Sequence, residues 1–383
     1  MRTGIATIPL DYGRCPAWLF NRMKRLARGI TLAIIEEFGV EEFLKRLSDP
    51  IWFQSFGCVL SFDWNSSGLT TTVMGALKEG LRGLENELGI FVCGGKGKTS
   101  RKTPEQIQQW GEFLNLPMEK IDKLIYASKI SAKVDSSCLQ DLQNPFQIYH
   151  HNLIFSKSGQ WCVVQQGMAT EIQKARRYHW LSSSIRDFTE EPHSGIISDI
   201  KIRPLNLTAK ESRENKEIST ELVKEEPKTF LKDFKIILNK SNRTLIKKQK
   251  IRYFTLMELY NKEFYWHPVL KEKFDLKRLE KTIFAVHFEN PENFEKLLSL
   301  KGVGPKTIRA LSLVSELIYG AKPSYEDPAR YSFAHGGKDG TPYFPKPQEL
   351  DRTIEILERG IKKSKINLSE KQNALKRLAG ITK

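Results

Sequence analysis

The chain has 383 residues, a net charge of +16 and a sequence pI near 9.5, so it is long enough for two or three domains with cores of their own and is built to attract polyanions. It contains no apolar run long enough to span a bilayer, and the N-terminal stretch Met1 to Pro9 lacks a signal-peptide core, so the expectation is a cytoplasmic protein with no membrane role. The five cysteines (Cys15, Cys58, Cys93, Cys138, Cys162) are scattered and odd in number, with no Cys-x-x-Cys pair, so neither a disulfide framework nor a zinc ribbon is indicated and reduced, mostly buried thiols are expected.

Residues 1 to about 90 read mainly as helices. Pro16 opens one that carries Met23, Leu26, Ile30 and Ile34 at helical spacing and ends at Gly39; a short one follows over Glu41 to Leu47, closed by Ser48-Asp49-Pro50. The aromatic run from Ile51 to Trp64 reads as core. Ser66, Ser67 and Thr70 to Thr72 precede a helix expected over Val73 to Leu84, with hydroxyls suited to capping it.

Gly94-Gly95-Lys96-Gly97-Lys98-Thr99-Ser100-Arg101-Lys102-Thr103 follows the short apolar strand Ile90 to Cys93. The spacing does not complete a Walker A loop, because Val92 stands where its first glycine belongs. What remains is a flexible basic loop that presents amides and the cations Lys96, Lys98, Arg101 and Lys102 to phosphates. Helices over 104–114 and 117–131 continue the unit.

From Asn144 the period changes to two. Phe146 to Phe155 and Gln160 to Met168 flank Ser156-Lys157-Ser158-Gly159 as a β-hairpin, and a helix is expected from Thr170 through Leu181. Four of the seven histidines (His150, His151, His179, His193) fall in this segment, among Gln165, Gln166, Arg176, Arg177, Glu190 and Glu191. Histidine with Arg and Gln can orient a phosphodiester and a water, and histidine with Glu can hold a divalent metal. Neither arrangement has diagnostic spacing, and hydrogen bonding inside a half-buried sheet accounts for these residues equally well. His150 and His151 point to opposite faces of a strand, so only one joins a given site. The catalytic candidates of a nuclease reading are thus His151 or its neighbour His150, with His179, His193 and Glu191; no metal ligand set and no cofactor is assigned, a divalent metal remaining open. Arg176 and Arg177 are candidate backbone contacts.

Ile196 to Ile202 alternates as a strand, and Thr208-Ala-Lys-Glu211 matches a capping box. The charged helix it would start, ended by Pro227, is the expected linker (208–227) between an N-terminal α/β unit (1–207) and a C-terminal helical domain (228–383). In that domain helices are expected over 230–238, 253–264, 276–288 and 292–300, with a basic loop over 239–252, and an amphipathic helix over 347–362 after an irregular stretch.

Leu297, Leu298 and Leu300 close one helix, Gly302-Val303-Gly304 makes a tight turn, and Pro305 opens a second helix whose face is Ile308, Leu311 and Ile318. The stretch resembles the helix-hairpin-helix family at its apolar-x-Gly-Val-Gly-x-Lys-x-x-x-Ala core. Glycines leave amides uncovered at a helix N-terminus, where the dipole favours a phosphate. Gly302, Val303, Gly304, Lys306, Thr307 and Arg309 are the nucleic-acid-binding candidates of this hairpin.

The C-terminal part also resembles the helix-hairpin-helix DNA glycosylase superfamily. That resemblance implies Lys306 as a Schiff-base lysine and Asp327 as the carboxylate that stabilises charge on the sugar. Asp327 lies further from the hairpin than the family places it, and the cysteines of the iron–sulfur loop of many members are absent. Across nearly its whole length the sequence resembles an uncharacterised prokaryotic family found in archaea and thermophilic bacteria, domain of unknown function 763, through Met1 to Thr7, Trp52 to Leu60, Ser67 to Val73, Gly94 to Pro104, Gln165 to Met168, Ala175 to Leu181 and Ala334 to Gly340. This resemblance implies no activity.

Together these features predict a mostly helical α+β protein that grips DNA, most readily double-stranded, through its phosphates, in repair or processing. Three alternatives stay open at this point: a glycosylase or lyase using Lys306 and Asp327, a nuclease centred on the His-rich segment, and a noncatalytic architectural or RNA-binding protein. The oligomeric state is not indicated.

Overall fold

The computed structural model describes residues 15–329, except 61, 63–67, 142–144, 199–201 and 249–272, together with isolated positions between 355 and 375. The helices expected over 253–264 and 347–362 fall outside the described residues or largely so. The architecture is mostly helical α+β, as predicted, around a five-stranded sheet in the order β1-β3-β4-β5-β6 in which all neighbours are antiparallel.

Four helices form the layer on one face: α1 (Ala17–Phe38), α2 (Val40–Leu47), α3 (Pro50–Val59) and α4 (Gly68–Leu81). Helix α1 buries Met23, Leu26, Ile30 and Ile34 and ends where Gly39 takes φ +85°. Asp49 caps α3 by accepting from Ile51 N at 2.8 Å, with Pro50 at the first helical position. The aromatic run is core, with Trp52, Phe53 and Phe56 buried. Helix α4 begins earlier than expected. Its Thr70 is buried and hydrogen-bonds Gln166 in the sheet rather than capping a helix.

After the short α5 (Glu85–Leu88), β1 (Ile90–Lys96) enters the sheet and a 3-10 turn (Gly97–Lys102) leads to α6 (Thr103–Phe113) and α7 (Met118–Ser137). A two-residue β2 (Leu139–Gln140) pairs with β7 (Leu205–Asn206) apart from the main sheet. The predicted hairpin is present as β3 (Gln147–Ser156) and β4 (Trp161–Ala169). It is followed by β5 (Lys174–Leu181) and β6 (His193–Ser198). The helix expected over 170–181 is therefore a strand. Arg176 through Trp180 are buried on both faces and paired on both edges, so polar and apolar side chains do not alternate and the period of two is hidden.

One face of the sheet, through Val92, Ile154, Cys162 and Val164, packs on α1 to α4. The other, through Phe91, Leu153, Phe155, Val163, Tyr178 and Trp180, shares a core with α7 and the C-terminal helices. These are α8 (Arg213–Lys224), α9 (Pro227–Lys248), α10 (Leu276–Glu289), α11 (Phe294–Ser299) and α12 (Pro305–Leu317). The capping box does not form: the Thr208 hydroxyl donates to Asn206 Oδ1 at 2.8 Å, and α8 starts beyond a 3-10 turn at Arg213. The helix expected as a linker carries a buried face of Asn215, Ser219, Leu222 and Val223, and Asn215 Nδ2 donates to Ser312 O and Ala321 O. Residues 239–248 of the expected basic loop belong to α9. All five cysteines are free, three of them buried. Among the described residues no helix is long and apolar enough to cross a membrane.

Candidate nucleic-acid interface and buried polar site

Helices α11 and α12 follow one another across the glycine turn where the sequence predicts two helices. Asn293 caps α11 by accepting from Lys296 N at 2.9 Å. Lys133 of α7 donates to Leu298 O and Leu300 O, each at 2.7 Å, satisfying carbonyls at the end of α11 and fastening the hairpin to α7. Gly302 takes φ +89°, a conformation that favours glycine, while Gly304 is extended at φ −152° and serves as the N-cap of α12. Gly304, the N-cap of α12, has no side chain with which to cap it, and Pro305 fixes the first position. Gly302, Pro305 and Lys306 are exposed, whereas Val303 and Thr307 are buried and anchor the turn. The Lys306 ammonium sits over the Phe274 ring, 5.1 Å from its centroid. Lys301 and, on α10, Lys277, Arg278 and Lys281 are also exposed.

Arg309 does not belong to this surface. It is 0% exposed and lies beside Tyr325, whose phenol is raised by burial. Its position one helical turn into the packed face of α12 turns it inward, a correction to its expected phosphate contact.

The basic loop is more ordered than expected. Residues 94–96 continue β1, pairing Gly94 with Asn152, Gly95 with His151 and Lys96 with His150. The rest is the 3-10 turn, closed by Ser100 Oγ to Gly97 O at 2.6 Å and Thr103 Oγ1 to Ser100 O at 2.8 Å. Lys96, Lys98, Arg101 and Lys102 are all exposed on it. Gly94 is required by crowding as well as by its φ of +92°, because a Cβ there would lie 2.1 Å from His151 O.

The His-rich segment separates into two buried clusters, one on each face of the sheet. Facing α7, Asp135 is the centre: it accepts from His193 Nε2 at 2.5 Å, from Trp180 Nε1 at 3.0 Å and from Gln165 Nε2, while Gln165 Oε1 meets His151 Nδ1 at 2.7 Å. Burial lowers the pKa of His151, with Gln165 and Asp135 opposing that shift. Sequence reasoning passed over Asp135, although a signal existed. It falls on the stripe Ile121, Leu124, Ser128, Ser131 of α7, a carboxylate where the helical period places core.

Facing the N-terminal helices, Arg177 donates to His179 Nε2 at 2.9 Å, Gln54 Oε1 at 2.9 Å and Thr70 Oγ1 at 3.2 Å, and stacks over Phe53 at 4.7 Å. Burial brings the Arg177 pKa down to about 9 and holds His179, beside that guanidinium, well below the ordinary imidazole value. His150 lies on this face too. A β-bulge between Ile148 and His150 brings Tyr149 to the same face, where its hydroxyl accepts from Gln166 Nε2 at 2.6 Å.

Of the catalytic candidates, His193 thus meets Asp135 directly and His151 reaches it only through Gln165, His179 is on the opposite face, and Glu191 is exposed at the surface 3.3 Å from Lys210. Among the described residues no group of three or more His, Cys, Asp or Glu is placed to hold a metal. Arg176 and Arg177 are 0% and 1% exposed and so offer no surface to a phosphate backbone, a second correction. Asp327 is bound to Arg176 Nη2 at 2.6 Å and to the amides of Ile202 and Ala329, each at 3.0 Å. It faces the sheet, while Lys306 lies over Phe274.

A basic α+β protein with an exposed hairpin terminus and a polar sheet interior is the class these features define. The chain belongs to the DUF763 family, described as a protein of unknown function, whose profile matches residues 4–345. No curated protein and no solved structure matches the chain.

Proposed function

We propose that this protein binds double-stranded DNA through its phosphates, in the cytoplasm and in the service of repair or processing. The observation that carries the reading is the exposed N-terminus of α12, where Gly302 and Gly304 leave the amides of the first turn without a side-chain cap, with Lys306 beside them. Backbone amides and the positive end of the helix dipole favour an anion there, and a contact of this kind grips the strand without reading bases. The turn bearing Lys96, Lys98, Arg101 and Lys102 supplies a second exposed cationic surface, and the net charge of +16 draws polyanions to both.

Binding governed by phosphate contacts obeys counterion release, so the logarithm of affinity falls linearly with the logarithm of salt concentration. Fluorescence anisotropy of a labelled duplex between 50 and 200 mM salt, on the order of the range over which such losses are large, tests this. Lys306→Gln should reduce the slope by about 0.9, the increment for one phosphate contact. An affinity insensitive to salt removes the reading.

A further inference from the structure

A cleft of about 570 Å³ opens between α7 and the segment 182–192 that follows β5, a size ordinary for a small-molecule site. Tyr126 and Ala127 of α7, Trp161 of β4, and Ile185 and Phe188 of the segment give it a mostly apolar lining. The segment is held in place: Asp187 Oδ1 accepts from Thr189 N at 2.6 Å and from Thr189 Oγ1 at 2.9 Å, and Phe188 packs on Trp161. Those two rings are parallel to within 4°, with centroids 6.1 Å apart. Parallel rings in contact at about 3.5–4.0 Å must be offset to give that separation, so neither covers the whole face of the other.

Two polar groups of the cleft lack partners. Asp122, exposed at the rim, makes no hydrogen bond or ion pair among the described residues, whereas Glu119 beside it is bound to Lys123 at 2.6 Å. Trp161 is only 8% exposed, yet its indole N–H keeps access to solvent and finds no acceptor among the described residues. A ligand that completes the cleft therefore supplies a flat apolar body, a donor for the Asp122 carboxylate and an acceptor for the Trp161 N–H. A nucleobase has all three: a face that stacks on aromatic side chains, and edges on which donors and acceptors lie side by side. A lysine or arginine side chain answers the carboxylate alone, and a hydrocarbon answers neither group.

The surroundings favour the same ligand. Tyr126 donates to Glu295 Oε1 of α11 at 2.5 Å, and the Lys296 ammonium lies over its ring, 5.8 Å from the centroid. Seven residues along α7, about 10 Å at 1.5 Å per residue, Lys133 holds the other end of α11. The cleft thus adjoins the helix that leads into the turn at Gly302 to Gly304. We propose that it receives an unpaired nucleobase, set against Trp161 and Phe188 with its edge between Asp122 and the Trp161 N–H, while the attached phosphate stays outside near Lys123 and Lys296. The pair of Glu119 with Lys123 is exposed on both sides and weak, so it leaves that ammonium available. Two sources share this chemistry, a base of a DNA strand and a free nucleotide. The first rests on the DNA-binding reading above, and the second does not.

The test uses the full chain with labelled duplexes identical except for one bulged, unpaired base, compared by anisotropy, and free nucleoside monophosphates followed by quenching of tryptophan fluorescence. The bulged duplex should bind about fivefold or more tightly than the matched one, the gain from stacking one base. Asp122→Ala and Trp161→Phe should each bring the two duplexes close to parity without changing affinity for the matched one. If the Trp161 variant does not fold, the exposed Asp122→Ala still reads the cleft. Nucleotide quenching that Asp122→Ala abolishes, with both duplexes bound equally, assigns the cleft to a free nucleotide. The same quenching in a protein that binds no duplex removes the DNA reading and keeps the cleft. A preference or quenching that persists unchanged in Asp122→Ala overturns the proposal. Equal affinities for the two duplexes together with no nucleotide quenching overturn it as well, even where salt-dependent DNA binding persists.

Discussion

Arg176 of β5 and Asp327, which follows α12, form an ion pair 2.6 Å long whose side chains are 0% and 1% exposed. Asp327 also accepts from Ile202 N and Ala329 N, and Asn206 pairs with Ser324 as an isolated bridge. The segment beyond the hairpin is thereby fastened to the sheet that carries the His-rich clusters.

Removing one member of a buried pair leaves the other charged and unsolvated, at a cost of about 3–5 kcal/mol. Asp327→Ala should destabilise the protein by that order in urea unfolding. The double variant Arg176→Met, Asp327→Leu should recover much of the loss, because an apolar pair of similar volume carries no desolvation penalty. A change below about 1 kcal/mol for Asp327→Ala would show that the pair does not hold this segment.

Acid should destabilise the protein before its carboxylates titrate. Burial lowers the pKa values of His150 (to about 3), His151 and His179, which puts all three below their ordinary value of 6.5. Below pH 6.5 the unfolded chain binds more protons at these positions than the folded one. Above that pH their burial therefore carries no protonation-linked cost, and stability falls as pH drops through 6.5 towards the folded values. Each contributes a slope approaching about 1.4 kcal/mol per pH unit. Glu190, lowered first by its hydrogen bond to Arg213, loses its contribution only below 4.5, so the interval from about pH 6.5 to 5 isolates the imidazoles. The urea midpoint should drop across it, and His150→Gln should make the drop shallower. A midpoint that does not move between these values contradicts the burial of neutral histidines.

Local signals were readable and partnerships were not. The turn glycines, the alternation of β3 and β4 and the apolar stripes of α1 and α12 are set by neighbours within a few residues, and the structure contains each of them. Strand β5 was misread because its arginines are buried on both faces, leaving no period to detect. Arg177 finds Gln54 and Thr70 more than a hundred residues away, and Arg176 finds Asp327 after α12. Composition suggested exposed, phosphate-binding cations at both positions. Burial of a guanidinium depends on acceptors that only the tertiary fold assembles, so a basic sequence alone could not separate Arg176, Arg177 and Arg309 from the exposed Lys96, Lys98 and Lys306.

The basic turn offers a sharp contrast between two glycines. At Gly94 a Cβ would meet His151 O at 2.1 Å and Thr103 Oγ1 at 2.5 Å, at a backbone φ of +92°. Gly94→Ala should break the pairing of β1 with β3 and cost more than about 2 kcal/mol, since strain and a backbone clash act together. At Gly97, φ is +59° and nothing lies within 4 Å of the added carbon. Gly97→Asn should change stability by about 0.5 kcal/mol or less, because asparagine tolerates this conformation. Thermal unfolding of the two variants distinguishes them, and equal losses would refute the close approach at Gly94.

The hairpin glycines separate conformation from contact. Gly302, at φ +89°, should lose about 1–2 kcal/mol of stability as alanine, since an L side chain is strained there although the nearest atom, Thr282 Cγ2, is 3.7 Å away. Gly304 is extended, with nothing within 4 Å of an added Cβ, so Gly304→Ala meets no steric obstacle and loses only the modest N-cap preference of glycine, a few tenths to about 1 kcal/mol. Gly304→Val adds bulk beside the amides of α12 with the same freedom from clash. If those amides hold a phosphate, Gly304→Val should weaken duplex binding severalfold while the protein remains folded, and Gly302→Ala should weaken it together with stability. Anisotropy and thermal unfolding measured on the same preparations read the two effects apart. Unchanged affinity in folded Gly304→Val would mean that no strand approaches this turn, and the phosphate-binding role would then fall to Lys96, Lys98, Arg101 and Lys102 alone.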